Sequence, residues 1–183
     1  MISRSHEVAA ELSALATTGV LTLSPGSVNT IPGHVRFSLD VRAPTDSTVE
    51  AVEERLRLDF ASIASGTDVG GLPLSIEWTT DTVSPATHFH EDCIQCVQSS
   101  AESVIGSKDL IRDMVSGAGH DSVYASTRCP TSMIFVPCKN GISHNPEEYT
   151  SPEDCAIGAE VLLRSVVQYD QLRLKRKLSD PAQ

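Results

Sequence analysis

No run approaching the roughly 18 apolar residues needed for a membrane-spanning helix occurs in the 183-residue sequence. Met1–Ser13 also lacks the basic-then-apolar layout of a secretory signal. A cytoplasmic protein without a membrane anchor is the resulting expectation. Positive charge is short: 14 Lys and Arg against 24 Asp and Glu leave a formal net charge of -10. That balance disfavours a polyanionic ligand, so nucleic acid is not an expected partner. Cysteine is too sparse and too irregular for a disulfide framework. Five residues, Cys93, Cys96, Cys129, Cys138 and Cys155, are an odd number in apolar surroundings and read as reduced core thiols. Cys93-Ile94-Gln95-Cys96 has no second C-x-x-C pair, which disfavours a zinc ribbon. What remains, 40% hydrophobic and 21% charged residues, suits a folded chain of one ordinary or two small domains.

Val8, Leu12 and Leu15 recur at helical spacing and predict a helix over Glu7–Ala16. Val20–Leu23 is a short strand-like run, broken by Ser24-Pro25-Gly26 and then by Ile31-Pro32-Gly33, so that two turns frame Asn29. Val35, Phe37, Leu39 and Val41 alternate with Arg36, Ser38, Asp40 and Arg42, which predicts one half-buried strand. Ser47-Thr48-Val49-Glu50 has capping-box spacing ahead of Val49, Val52, Leu56, Phe60 and Ile63, an amphipathic helix ending near Ser65. Gly66–Gly71 reads as a loop, and Leu72–Thr80, with Leu74, Ile76 and Trp78 in register, as another strand. The first eighty residues are thus an α+β sandwich, the pattern of a β-α-β-β-α-β unit without its first strand.

The pattern changes after Thr82–His90, where a domain boundary is expected. Asp92–Ile105 is helical with Val97, Ala101 and Val104 inward. Leu110–Val115 and Ser132–Val136 read as strands, the second typical of a buried parallel sheet. Ser151-Pro152-Glu153-Asp154 combines an N-cap serine, a proline at the first helical position and acids at the positive dipole end. The helix it opens is expected to end near Leu172, with Arg173–Gln183 as a basic and polar tail.

Two histidines follow predicted strands through glycine-containing turns: His120 in Ser116-Gly117-Ala118-Gly119-His120-Asp121, and His144 in Gly141-Ile142-Ser143-His144-Asn145-Pro146. Strand C-termini of an open α/β sheet share one edge, where ligands bind. Imidazole can hold a metal, move a proton or donate a hydrogen bond. Position alone equally allows each histidine to cap a helix or satisfy a loop carbonyl. Arg42, on the polar face of its strand, offers a planar fork for a carboxylate. It could as well be solvated or paired with Asp40. Glu147-Glu148 leads toward a helix, where neighbours point different ways, and does not read as a catalytic pair.

Four segments, Pro25–Gly33, Phe37–Arg42, Ser116–Asp121 and Gly141–Glu148, together resemble the M20 peptidase family. The similarity is to its branch of N-carbamoyl-amino-acid hydrolases, β-ureidopropionases and allantoate amidohydrolases. The resemblance implies an α/β fold with an incomplete lid, a ferredoxin-like α+β sandwich lacking its first strand, over residues 1–82. The C-terminal part of a zinc-peptidase-like catalytic domain would follow over 83–172. It implies substrate binding by Asn29, Arg42, Gly119 and His120, with His120 also catalytic as an oxyanion stabiliser, and His144 as a metal ligand. Two zinc or manganese ions, a small amide or ureido substrate and a homodimer formed through the lid complete what the family suggests. The family's other metal ligands and its general base have no counterpart in these 183 residues, so the chain alone is expected to be inactive. The alternative is a non-catalytic dimerisation or regulatory module.

Overall fold

The structure, a computed structural model, describes residues 1–66 and 72–179. Most of the expected Gly66–Gly71 loop lies outside the described residues. The chain divides into two compact units, Met1–Ala86 and Thr87–Gln183.

In the first unit, helix α1 spans Ile2–Glu11 and buries Ser5, Val8 and Ala9. It lies earlier than the apolar spacing predicts, because Leu12 and Leu15 are exposed rather than inward. Ser13 adopts a left-handed backbone with φ 56°, and Ala14 N–H donates to Ala9 O at 2.8 Å. The chain thereby leaves the helix and enters strand β1, Leu15–Thr17. Strand β2, Leu21–Ser24, follows, and its Ser24–Pro25 peptide is cis.

The alternating run after Val35 is two strands rather than one. Strand β3 is His34–Phe37 and pairs antiparallel with β2. Strand β4 is Asp40–Arg42 and pairs antiparallel with β1. Between the pairs Thr17↔Asp40 and Leu21↔Phe37, residues 18–20 face only 38 and 39. That count is a β-bulge, which interrupts the ladder and bends the ribbon. Ser38 fills the break: its hydroxyl accepts from Gly19 N–H at 3.3 Å and Val20 N–H at 3.0 Å, while its own N–H donates to Val20 O.

Helix α2, Asp46–Ser65, is capped by Thr45, whose hydroxyl accepts from Thr48 N–H at 3.2 Å. The cap is therefore two residues before the expected Ser47. Gly66 closes the helix in the left-handed region at φ 70°, where a residue without Cβ is unstrained. Val52, Leu56, Phe60 and Ala64 face inward and join Val8, Ala9, Ala14 and Ala16 in the core. Phe60 is its hub: Phe37 meets it edge-on at 6.0 Å and Trp78 stacks on it at 5.5 Å. Arg57 lies 4.6 Å over the Trp78 ring, a cation–π contact on the outer side.

The strand expected over Leu72–Thr80 is absent from the described residues. Ile76 packs against the core and Leu74 N–H donates to Ala64 O at 2.8 Å. Ile76 and Trp78 thus meet the core, whereas Leu72 and Leu74 stay exposed and the backbone has no ladder neighbour among the described residues.

The second unit is built on helix α3, Glu91–Ile105, against helix α5, Pro152–Ser179, with the short helix α4, Asp121–Ser126, between them in sequence. Small residues at the contact, Cys96, Ser100, Ala101, Val161 and Ser165, are buried and allow close approach. Ala101 is inward as expected, whereas Val97 and Val104 are only partly buried. Gln168 accepts from Ser99 and Ser100 hydroxyls across the two helices. The start of α5 matches its sequence signature: Ser151 Oγ accepts from Asp154 N–H at 3.0 Å. Its end does not, because the helix continues through the expected tail to Ser179. Arg176 accounts for part of that extension by holding Asp92, at the start of α3, through a two-pronged contact. Neither Leu110–Val115 nor Ser132–Val136 is a strand among the described residues. All five cysteines are free, but only Cys96 is buried, and Cys129 and Cys155 are exposed rather than in a core. No helix among the described residues is long and apolar enough to cross a membrane.

One glycine marks a tight contact. A Cβ at Gly158 in α5 would fall 2.5 Å from Val136 Cγ1, well inside van der Waals distance. Gly158→Ala is therefore expected to lower the urea midpoint, since overpacking costs about 1–3 kcal/mol against the ~1 kcal/mol that alanine contributes in a helix. In a Val136→Ala background the same change should raise the midpoint. Absence of that reversal would show that Val136 is not what requires a glycine.

Candidate functional site

Asn29 and Arg42 both belong to the β-ribbon of the first unit, at opposite ends of it. Asn29 lies in the loop joining Ser24 to His34, whose Val28 and Ile31 are fully or almost fully exposed. Its side-chain oxygen accepts from Ser27 Oγ at 2.7 Å, which holds the amide within its own turn. Arg42 pairs with Leu15 at the other end of the ribbon. The β2–β3 ladder and the bulge lie between His34 and the Leu15–Arg42 pair. The two side chains therefore present separate contact points.

Arg42 is not simply solvated. Its Nε lies 3.1 Å from Asp40 Oδ1 and its Nη2 2.7 Å from Asp40 Oδ2, a bidentate pair with both side chains half exposed. The hydrogen bonds from Arg42 are the main reason that the Asp40 carboxyl titrates below its ordinary range. The same pair raises the Arg42 guanidinium. The Nε–Nη2 fork of Arg42 is engaged by Asp40, one of the alternatives that the sequence leaves open for it.

Gly119 and His120 sit in the Ser116–Asp121 loop of the second unit, directly before α4. His120 precedes Asp121 as the cap residue, but its side chain makes no capping bond. Instead its Nε2 lies 2.6 Å from Ser116 Oγ, and Phe135 meets the ring edge-on at 5.8 Å. The imidazole is half-buried and held on two sides. A Cβ at Gly117 or Gly119 would meet nothing within 4 Å, so the loop is open there. Ser116 and Phe135 are functional candidates that position reasoning passed over, although Ser116 stands inside the motif itself.

His144 occupies a loop with left-handed backbone at Asn140, Gly141 and His144, φ 58°, 65° and 57°. A non-glycine residue there is uncommon and marks a conformation that its surroundings impose. Glu148 supplies the restraint: its Oε2 accepts from His144 N–H at 2.9 Å. Asn145 adds a turn, its Oδ1 accepting from Glu147 N–H and its carbonyl from Glu148 N–H. Glu148 is thus a loop-fixing residue rather than half of a catalytic pair. The His144 residue is exposed.

No hydrogen bond or ring contact joins His144 to His120. No three His, Cys, Asp or Glu residues among those described cluster closely enough to hold a metal ion. The donor set of a metal centre is therefore not complete within the described residues.

The Asp40–Arg42 pair yields a signed pH dependence. Asp40 is depressed in the folded chain, so its stabilising contribution is fully present above the ordinary aspartate value near ~3.9 and is lost as pH falls through the lowered one. Exposure limits it to below about 1 kcal/mol. In a carboxyl ¹³C NMR titration Asp40 should protonate at lower pH than an ordinary aspartate, and Arg42→Ala should return it upward. An unmoved titration in Arg42→Ala would refute the pairing as its cause.

Residues 8–168 match the model of Peptidase family M20/M25/M40. The N-carbamoyl-L-amino-acid amidohydrolase of Rhizobium meliloti is 35% identical over 155 residues, covering 85% of this chain and 35% of that protein. The allantoate amidohydrolase of Escherichia coli (strain K12) is 33% identical over 153 residues, covering 83% and 35%. A hydantoinase/carbamoylase family amidase from Burkholderia ambifaria has a similar structure, with a TM-score of 0.78 at 32% identity, over 91% of this chain and 38% of that one. The chain spans little more than a third of the length of these relatives. A match that runs from α1 into α5 through both units makes this chain a member of Peptidase family M20/M25/M40.

Proposed function

We propose that this chain is the substrate-gripping part of a hydrolase that cleaves non-peptide C–N bonds in linear amides, of the N-carbamoyl amino acid or ureido type. The observation that carries the reading is the match to amidohydrolases named for those substrates over 83–85% of the chain. Residues 1–82 form the lid in this reading and 83–172 the end of the catalytic domain. The unladdered stretch carrying Ile76 and Trp78 supports a ferredoxin-like lid whose first strand is missing. In that order of strands the absent one would be the neighbour of Leu72–Thr80.

Arg42 then takes the substrate carboxylate, and Asn29 takes a polar group. The open backbone at Gly119 lets the substrate approach His120, which stabilises the developing oxyanion. His144 would be one ligand of a divalent metal centre, zinc or manganese, which when bound would activate water and polarise the carbonyl. Its remaining ligands, and the general base, must come from outside the described residues. A second copy of the chain is the proposed partner, because Leu21, Leu23 and Val35 share one ribbon face and are half exposed. Contact between copies there also gives the well-separated Asn29 and Arg42 more than one site to serve.

The isolated 183-residue chain should release no ammonia from N-carbamoyl amino acids, with or without added zinc or manganese. Turnover by the chain alone would overturn the incomplete-centre reading. In the complete enzyme Arg42→Ala should raise KM for carboxylate substrates by roughly 10–100-fold, the loss of one charge-assisted contact. An unchanged KM would remove Arg42 from the substrate site. Full metal occupancy in His144→Ala, measured by elemental analysis, would likewise remove His144.

A further inference from the structure

His120 has two ring nitrogens, and its own loop engages one of them. Ser116 Oγ lies 2.6 Å from Nε2, accepts from Ala118 N–H at 3.2 Å and stands 3.3 Å from Ala118 O. A serine hydroxyl has one proton and two lone pairs. With Ala118 N–H on one lone pair, the proton goes either to Nε2 or to Ala118 O, the second leaving a lone pair for Nε2–H; the shorter contact, 2.6 Å against 3.3 Å, favours the first. Donation to Nε2 requires that nitrogen to be unprotonated, so a neutral ring carries its proton on Nδ1. Phe135, edge-on at 5.8 Å and 71°, limits rotation of the ring about its own axis. The glycines at 117 and 119 leave the neighbouring backbone without side-chain bulk.

We infer that Ser116 is a positioning residue: it donates to His120 Nε2 and so presents Nδ1–H as the hydrogen-bond donor to the substrate's carbonyl oxygen. The ligand rests on the hydrolase reading above, whereas the tautomer rests on the loop geometry alone. No proton leaves either residue in this role. The serine hydroxyl keeps its hydrogen, and Nδ1–H donates without transfer as negative charge develops on the oxygen. Ser116 acts through His120 and does not itself touch substrate. A free imidazole in water prefers the opposite tautomer, so the loop imposes a form that the side chain alone would not favour. Such fixed tautomers are the ordinary means by which a neighbouring group decides what a histidine can do.

Long-range ¹⁵N–¹H spectra of the histidine-labelled chain, in buffer alkaline enough to keep the rings neutral, read the tautomer directly. His120 should show a protonated Nδ1 in the native chain and shift to protonated Nε2 in Ser116→Ala. Ser116→Thr, which keeps the hydroxyl, should restore the native pattern. A native ring protonated at Nε2 overturns the inference, as does an unchanged ring in Ser116→Ala whose amide spectrum is otherwise intact. The donor role is tested separately in the complete enzyme. His120→Asn places an amide nitrogen near the Nδ1 position and His120→Gln near the Nε2 position, so Asn should retain at least roughly tenfold more kcat, on the scale of one oxyanion donor. Equal loss in both variants overturns the Nδ1 donor. A complete enzyme without turnover of any ureido substrate contradicts the hydrolase reading and leaves the tautomer result standing.

Discussion

Antiparallel pairing of Leu15–Ser24 with His34–Arg42 is the interaction on which the first unit depends. A strand segment is stable only where a neighbour takes its backbone hydrogen bonds. That requirement overrides the helical spacing of Val8, Leu12 and Leu15, because Leu15–Thr17 gains a ladder to Asp40–Arg42 that a longer α1 would forfeit. It also divides the alternating run after Val35, since one extra residue on the opposite side must be absorbed. Ser38 makes the bulge tolerable by giving Gly19 and Val20 N–H an acceptor. Without such an acceptor, two amides would be left unpaired beside a broken ladder.

The pairing also determines where the core lies. Phe37 faces inward from the ribbon and reaches Phe60, which α2 presents together with Leu56 and Val52. On the same face Leu21, opposite Phe37, and farther along Leu23 and Val35 remain half exposed. The ribbon is thus a core element at its Arg42 end and an uncovered apolar surface toward its Asn29 end. In the second unit small residues take over the role of Phe60. Cys96, Ser100 and Ala101 let α5 approach α3 closely, and Gly158 lets Val136 lie against α5.

Local signals were legible in the sequence, and pairing was not. The stripe Val52, Leu56, Phe60 and the Ser151-Pro152 start of α5 depend on residues within a few positions of each other, so spacing reveals them. Leu72–Thr80, Leu110–Val115 and Ser132–Val136 have strand-like composition, yet composition cannot say whether a neighbour exists to complete the ladder. Thr45 was missed as the α2 cap because Ser47-Thr48-Val49-Glu50 offers a box at the same spacing two residues later. In the candidate site the motif positions themselves were readable, whereas the restraints on them were not. Ser116 and Glu148 act through a ring nitrogen and a backbone amide, contacts that depend on torsions no residue pattern encodes.

Those two restraints have a common form that bears on function. His120 is held by a residue four positions before it, and His144 by one four positions after it. Each hydrogen bond closes inside one short loop, although the His120 ring also rests against Phe135 and Glu148 fixes the His144 backbone rather than its ring. Arg42 is likewise oriented by Asp40, two residues away on the same strand face. A side chain whose geometry is set locally loses little further freedom when a ligand arrives, which lowers the entropic cost of binding. A metal centre would be different in kind, because its donors have to converge from distant parts of a sequence and no local contact can substitute for a missing one. On the proposed hydrolase reading, contacts to substrate can thus be oriented within short stretches of chain, whereas metal donors have to be gathered from several.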